Sequence, residues 1–210
     1  MWNKIKAVFH KKEDVKKSDY WVFGTMLAFG IVALGASFVL SIEEIHLLKN
    51  PDAQLSCSFN LIFNCATVMQ TWQASVFGFP NMFIGLVAFP IVIMTATLGL
   101  SQVKLPRWFW IAANLGFLVS ALFAYWLFFQ SVYAIETLCP WCLTVTVSTT
   151  FILAAVTHYT VRENIFKFDQ KTHNKLIDFQ KKDYGKLAVA VWLALLILLV
   201  FLKFGDSLFA

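Results

Sequence analysis

The chain has 210 residues, 59% of them apolar and only 14% charged, with a formal net charge of +5. A mean hydropathy of +0.69 excludes an ordinary soluble domain. The lysines and arginines flank the apolar runs, so the positive excess is a topology signal and sets nucleic acid aside as a partner.

Residues 1–20 carry Lys4, Lys6, Lys11, Lys12, Lys16 and Lys17. The apolar run from Trp21 to Ser41 that follows is too long and too far from the start for a cleaved signal peptide. Crossing about 30 Å of hydrocarbon takes roughly 20 apolar residues. The runs Asn81 to Leu100, Trp108 to Gln130, Cys139 to Val161 and Lys186 to Phe204 also meet that length. Backbone polar groups in lipid must be satisfied within their own segment, so all five runs are predicted helices of an all-α integral membrane protein. Trp21, Trp108, Trp110 and Trp141 near the run ends fit an aromatic belt.

Of the 17 lysines and arginines, all but Lys49 and Lys203 fall on the side that holds the N-terminus. By the positive-inside rule that side is cytoplasmic, which puts the C-terminus and all four cysteines outside. In bacteria that compartment is oxidising and trades thiols for disulfides. The basic link from Arg162 to Lys186 carries Ile165, Phe168, Leu176 and Phe179 among its lysines. It is suited equally to an anionic leaflet or to solvent.

The first outer loop contains Cys57 and Cys65, with His46 near Glu43 and Glu44 read as solvated loop. From Cys65, the residues Val68, Met69, Trp72 and Val76 recur at helical spacing, with Thr67, Gln70, Thr71 and Gln73 between them. A short amphipathic helix is predicted there, capped by Asn64, after which Ser75 to Asn81 turns back toward the bilayer.

Cys139-Pro140-Trp141-Cys142 opens the fourth run. Pro140 suits the first helical position, where its missing N–H is no loss. Cys139 then feels the positive end of the helix dipole, which favours its thiolate, and Cys142 lies one turn deeper on the same face. Glu136 opposes the thiolate if it lies close. Two structural disulfides are the blander reading. A zinc site of four thiolates fits the Cys57–Cys65 spacing poorly, and no strand–helix–strand pattern surrounds the motif to make a thioredoxin-like domain. Asn114 and His158 within the runs are explained by hydrogen bonds between helices. Tyr125 and Trp126 suit either a pocket or the lipid face.

Taken in order, Cys57 and Cys65, the stretch Phe77-Gly78-Phe79-Pro80-Asn81, Gly85, Pro106 to Trp110 and Cys139 to Cys142 resemble the bacterial form of the vitamin K epoxide reductase (VKOR) family. The resemblance covers about Trp21 to Val161. It implies a four-helix bundle around a quinone, with a peripheral fifth helix. The chain then divides into a cytoplasmic basic segment (1–20), a four-helix VKOR-like catalytic domain (21–161), a cytoplasmic basic linker (162–185), and a fifth transmembrane helix with an outer C-terminus (186–210).

The same resemblance implies a thiol:quinone oxidoreductase in the bacterial cytoplasmic (inner) membrane that drives disulfide formation in exported proteins. A thioredoxin-like, DsbA-like partner in trans would reduce the loop pair at Cys57. Cys65 would pass electrons to Cys139, and Cys142 would reduce ubiquinone or menaquinone. Asn81 matches the family asparagine that bonds a quinone carbonyl, and Phe77 and Thr71 are further cofactor-binding candidates. Thr71 replaces a frequent serine. Thr146 stands where animal enzymes carry a tyrosine, a departure from epoxide chemistry. The alternatives are a DsbB-type oxidase, whose quinone-side C-x-x-C follows the first span rather than opening the fourth, and a non-catalytic scaffold with structural disulfides.

Overall fold

The computed structural model describes residues 2–60 and 62–208. The remaining residues, together with the side chains of 2–17 and 206–208, lie outside that description, the expected basic cluster Lys4 to Lys17 among them. In chain order the helices are α1 (Trp2–Lys49), α2 (Cys65–Met69), α3 (Met82–Leu100), α4 (Arg107–Gln130), α5 (Pro140–Arg162), α6 (Gln170–Lys181) and α7 (Tyr184–Leu208). A 3₁₀ turn at Trp72–Ser75 follows α2, and a π turn at Ser131–Ile135 extends α4.

Among the described residues, five helical stretches are long and apolar enough to cross a membrane: Ser18–Lys49, Met82–Leu100, Arg107–Ile135, Pro140–Arg162 and Tyr184–Gly205. The chain is therefore a multi-pass membrane protein, and four of the five stretches fall close to their predicted limits.

The first helix differs. It continues past Ser41 to Lys49, so Glu43, Glu44 and His46 ride on α1 and not in a loop. Nothing in that stretch breaks a helix until Pro51, whose ring disfavours helical backbone at Asn50, so the bond from the Asn50 N–H to the His46 carbonyl at 2.9 Å is the last of its kind. His46 and Lys49 in the last turn also suit the negative end of the helix dipole.

In the apolar cluster at the centre of the bundle, α1 contributes Val22, Phe23, Met26 and Ala33. Against them pack Phe89, Val92 and Ala96 of α3, Trp110 of α4, and Ile152, Ala155 and Val156 of α5. Gly85 lets α3 approach α1 closely. A Cβ there would collide with the Ser37 hydroxyl and sit 3.0 Å from the Ser37 Cβ. Between α4 and α5, Asn114 donates to the Thr157 and Thr160 hydroxyls at 3.1 and 3.2 Å. That satisfies in-membrane polar groups internally, as expected for Asn114.

The end of the bundle away from the cysteines is tied by polar contacts. Arg162 pairs with Asp19, and Arg107 donates to the Ile165 carbonyl. The linker is not formless: α6 is capped by Asp169 and held to α5 by Gln180, which donates to the His158 carbonyl at 3.1 Å. Helix α7 leaves much of its apolar surface exposed but anchors one end near the cysteines. There Leu196 and Phe204 pack with Phe128, Val132 and Leu138.

Candidate functional site

The four cysteines are brought together at one end of the bundle. Cys57 and Cys65 form a disulfide, and Cys139 and Cys142 are free thiols. The Cys65 Sγ lies 3.4 Å from the Cys139 Sγ, which places the two pairs in sulfur–sulfur contact.

That contact is set by a backbone device. Leu138, just before Cys139, pairs with Phe63 in an isolated parallel bridge. Leu138 N–H donates to the Ile62 carbonyl at 2.7 Å, and Asn64 N–H donates to the Leu138 carbonyl at 3.1 Å. Cys65 follows Asn64 and Cys139 follows Leu138, so the bridge fixes the register of the two cysteines. Asn60 prepares the loop for it by accepting from the N–H groups of Ile62 and Phe63 at 3.0 and 2.7 Å.

Each pair also opens a helix. Asn64 caps α2 by accepting from the Thr67 N–H, as its position predicts. The helix is only five residues long, and Cys65, Val68 and Met69 form its buried face. Cys139 caps α5 with Pro140 in the first turn, and its sulfur accepts from the Cys142 N–H at 3.2 Å. The Cys142 thiol, followed by the backbone N–H groups of Cys142 and Trp141, holds the Cys139 thiol below its ordinary pKa against the opposing effect of burial. Glu136 sits at a left-handed turn with φ of 55° and is engaged by Lys203 of α7 at 2.6 Å. Its charge therefore reaches the site already paired.

Beneath the cysteines lies a cavity of about 180 Å³. Cys139 and Cys142 line it, with Asn81, Gln73, Thr146, Phe89, Phe117, Phe123 and Phe128. The Asn81 side chain makes no helix-capping bond; its Nδ2 donates to the Gln73 carbonyl at 2.7 Å. That bond orients the amide and leaves Asn81 Oδ1 buried without a partner, as is Gln73 Oε1.

Residues 25–157, more than half of the chain, match the family model described as Vitamin K epoxide reductase family. The chain belongs to the vitamin K epoxide reductase family. No curated protein and no solved structure matches it. Membership in the vitamin K epoxide reductase family makes this a membrane oxidoreductase of thiol–disulfide chemistry. Helices α6 and α7 lie beyond the stretch matched to that family.

The remaining candidates divide by position. Thr146 lines the cavity and donates to the Cys142 carbonyl at 2.9 Å. Thr71 and Phe77 are not among the lining residues. The Thr71 hydroxyl donates to the Val68 carbonyl at 2.7 Å, and Phe77 is half exposed against Phe79 and Phe123. Tyr125 bonds Thr150 and Trp126 lies against Trp72, and neither is among the lining residues. Regular helical spacing puts Gln73 on a polar face, yet it is buried. The helix breaks at Gln70 and the 3₁₀ turn swings Gln73 inward, a rotation that regular helical spacing does not carry.

Proposed function

We propose that the chain is a thiol:quinone oxidoreductase that reoxidises a thioredoxin-like partner in trans, with the basic side cytoplasmic and the cysteines outside. The single observation that supports it most is the 3.4 Å contact between Cys65 and Cys139 Sγ, across which a disulfide can be handed from one pair to the other.

The exchange runs as follows. A partner thiolate attacks the Cys57 sulfur of the Cys57–Cys65 disulfide and expels Cys65 as a thiolate. With the α5 pair oxidised, Cys65 attacks Cys139 and expels Cys142. The partner's second thiol then attacks its own half of the mixed disulfide and frees Cys57. Cys57 in turn attacks Cys65 and expels Cys139. The partner leaves as a disulfide, the loop pair is a disulfide again, and Cys139 and Cys142 are reduced. The latter two conditions are the redox state of the four cysteines here.

A quinone, when bound, supplies the two-electron acceptor that reoxidises the α5 pair. The cavity suits such a ring because its lining is mostly apolar, and among its polar side chains Asn81 and Gln73 carry buried amide oxygens without a partner among the described residues. Asn81 has a second amide N–H to offer a ring carbonyl and an unpaired Oδ1 to accept from a ring hydroxyl. Cys142 lines that cavity, whereas Cys57 is not among its lining residues. The lowered pKa of Cys139 keeps it a good leaving group when Cys57 closes the loop disulfide.

The test is anaerobic mixing of the purified protein with ubiquinone or menaquinone, with and without a reduced thioredoxin-like donor. Donor-dependent quinone reduction that disappears in Cys142→Ala is the expected result. Undiminished turnover by Cys142→Ala would overturn the assignment.

A further inference from the structure

On the outer part of α1, Leu40, Glu43 and Leu47 share one helix face, and all three are buried. Leu40 and Leu47 pack into the cluster that holds Leu55, Cys57, Cys65 and Cys139. Between these two leucines stands a carboxylate, which is unfavourable to bury unless its oxygens are hydrogen-bonded. Here one residue supplies the bonds. Glu43 Oε1 accepts from the Ser56 N–H at 3.1 Å and also from the Ser56 hydroxyl.

Ser56 directly precedes Cys57, and Cys57 is only 1% exposed. The proposed electron donor is a protein, and it cannot touch that sulfur while the Leu55–Cys57 segment lies flat on α1. Within the loop, Ser58 bonds Leu55 and Asn64, contacts that do not involve α1. The tie from this segment to the membrane helix passes through the packing of Leu55 and Cys57 and through the Glu43–Ser56 bonds.

We propose that Glu43 is a positioning residue, a strap that holds Cys57 and Cys65 down over Cys139 and whose release presents Cys57 to the partner protein. The inference rests on the relay reading above. A carboxylate suits the task better than a third leucine. Its bonds are directional and so fix the register of Ser56, and on opening both groups exchange those bonds for water. A leucine would instead expose apolar surface each time the loop lifted.

The experiment measures the labelling of Cys57 in fully reduced protein by a membrane-impermeant maleimide, resolved by cysteine with mass spectrometry. Glu43→Leu, which removes both bonds, should speed Cys57 labelling by about tenfold, and Ser56→Ala, which removes only the hydroxyl bond and keeps the N–H bond, should speed it by less. The double variant should be no faster than Glu43→Leu alone, because without the carboxylate the Ser56 hydroxyl has no bond left there to lose. Glu43→Gln, which keeps an acceptor, should fall between wild type and Glu43→Leu. In turnover the strap variants should show a lower KM for the reduced donor together with a lower kcat, because the loop is easier to reach but less often seated on Cys139. Loss of packing alone would not make the donor KM fall.

Unchanged Cys57 labelling in both single variants, or additive effects in the double, would overturn the proposal. The labelling uses neither donor nor quinone, so the two readings fail separately. Faster labelling in a protein that reduces no quinone sinks the relay and leaves the strap. Normal quinone reduction with unchanged labelling does the reverse.

Discussion

The two cysteine pairs touch, yet they are held by different means. Cys139 and Cys142 belong to the first turn of a helix whose later residues Ile152, Ala155 and Val156 are locked in the core. Their spacing and the environment of the Cys139 sulfur follow from helix geometry. Cys57 and Cys65 belong to a loop and a five-residue helix, fixed to α5 by the Leu138 bridge and to α1 by Ser56. Helix geometry thus sets the chemistry of one pair, while a few hydrogen bonds set the position of the other. Changes in the α5 turn should alter what the thiols do, and changes in the loop should alter whether the pairs meet.

The largest effect tests the helix side. Cys139→Ala or Cys142→Ala should reduce donor-dependent quinone reduction to background while leaving the protein inserted in the membrane. Asn81→Ala comes next. It should weaken the apparent affinity for quinone by about tenfold, one hydrogen bond's worth, and leave exchange between the cysteine pairs intact.

A pH titration sharpens the contrast further. In a Cys57→Ala/Cys65→Ala protein, ultraviolet absorbance should show Cys139 thiolate persisting to lower pH than an ordinary thiol, since its pKa is lowered. Adding Cys142→Ala removes the largest cause of that shift, so the thiolate should appear only at higher pH. A profile unmoved by that change would remove the neighbouring thiol from the account.

Packing and capping variants are expected to act through stability. Gly85→Ala drives a methyl into Ser37 and should cost about 1–3 kcal/mol, read as a fall in Tm. Asn64→Ala removes the α2 cap and should cost about 1 kcal/mol. Its more telling consequence is slower transfer between Cys65 and Cys139, because the lost side chain also accepts from the Ser58 hydroxyl and so ties the Cys57 loop to the turn that carries Cys65.

The legible part of this molecule was the part written in long periods and in local chemistry. Apolar runs near 20 residues marked the spans, and Pro140 beside Cys139 marked a helix start, because each signal is contained in its own segment. What stayed hidden depends on partners distant in sequence. Glu43 read as loop because the eye stops at the charged residues after Ser41, although no helix breaker occurs before Pro51. Its meaning comes from Ser56, on a loop folded back over α1. Gln73 looked solvent-facing because a regular helix was continued through Gln70, where the backbone tightens and turns it inward. The Phe63–Leu138 bridge joins two single residues far apart in the chain and leaves no alternating strand pattern.

The central claim is that Cys65, and not Cys57, meets Cys139. It is tested most directly by leaving one cysteine of each pair. Cys57→Ser/Cys142→Ser retains Cys65 and Cys139, and Cys65→Ser/Cys142→Ser retains Cys57 and Cys139. Each is treated with a mild chemical oxidant, and the disulfide is followed over time by mass spectrometry. The 3.4 Å separation predicts rapid and complete Cys65–Cys139 bond formation in the first protein and slow, partial bonding in the second. Faster bonding of Cys57 to Cys139, or none between Cys65 and Cys139, would contradict it.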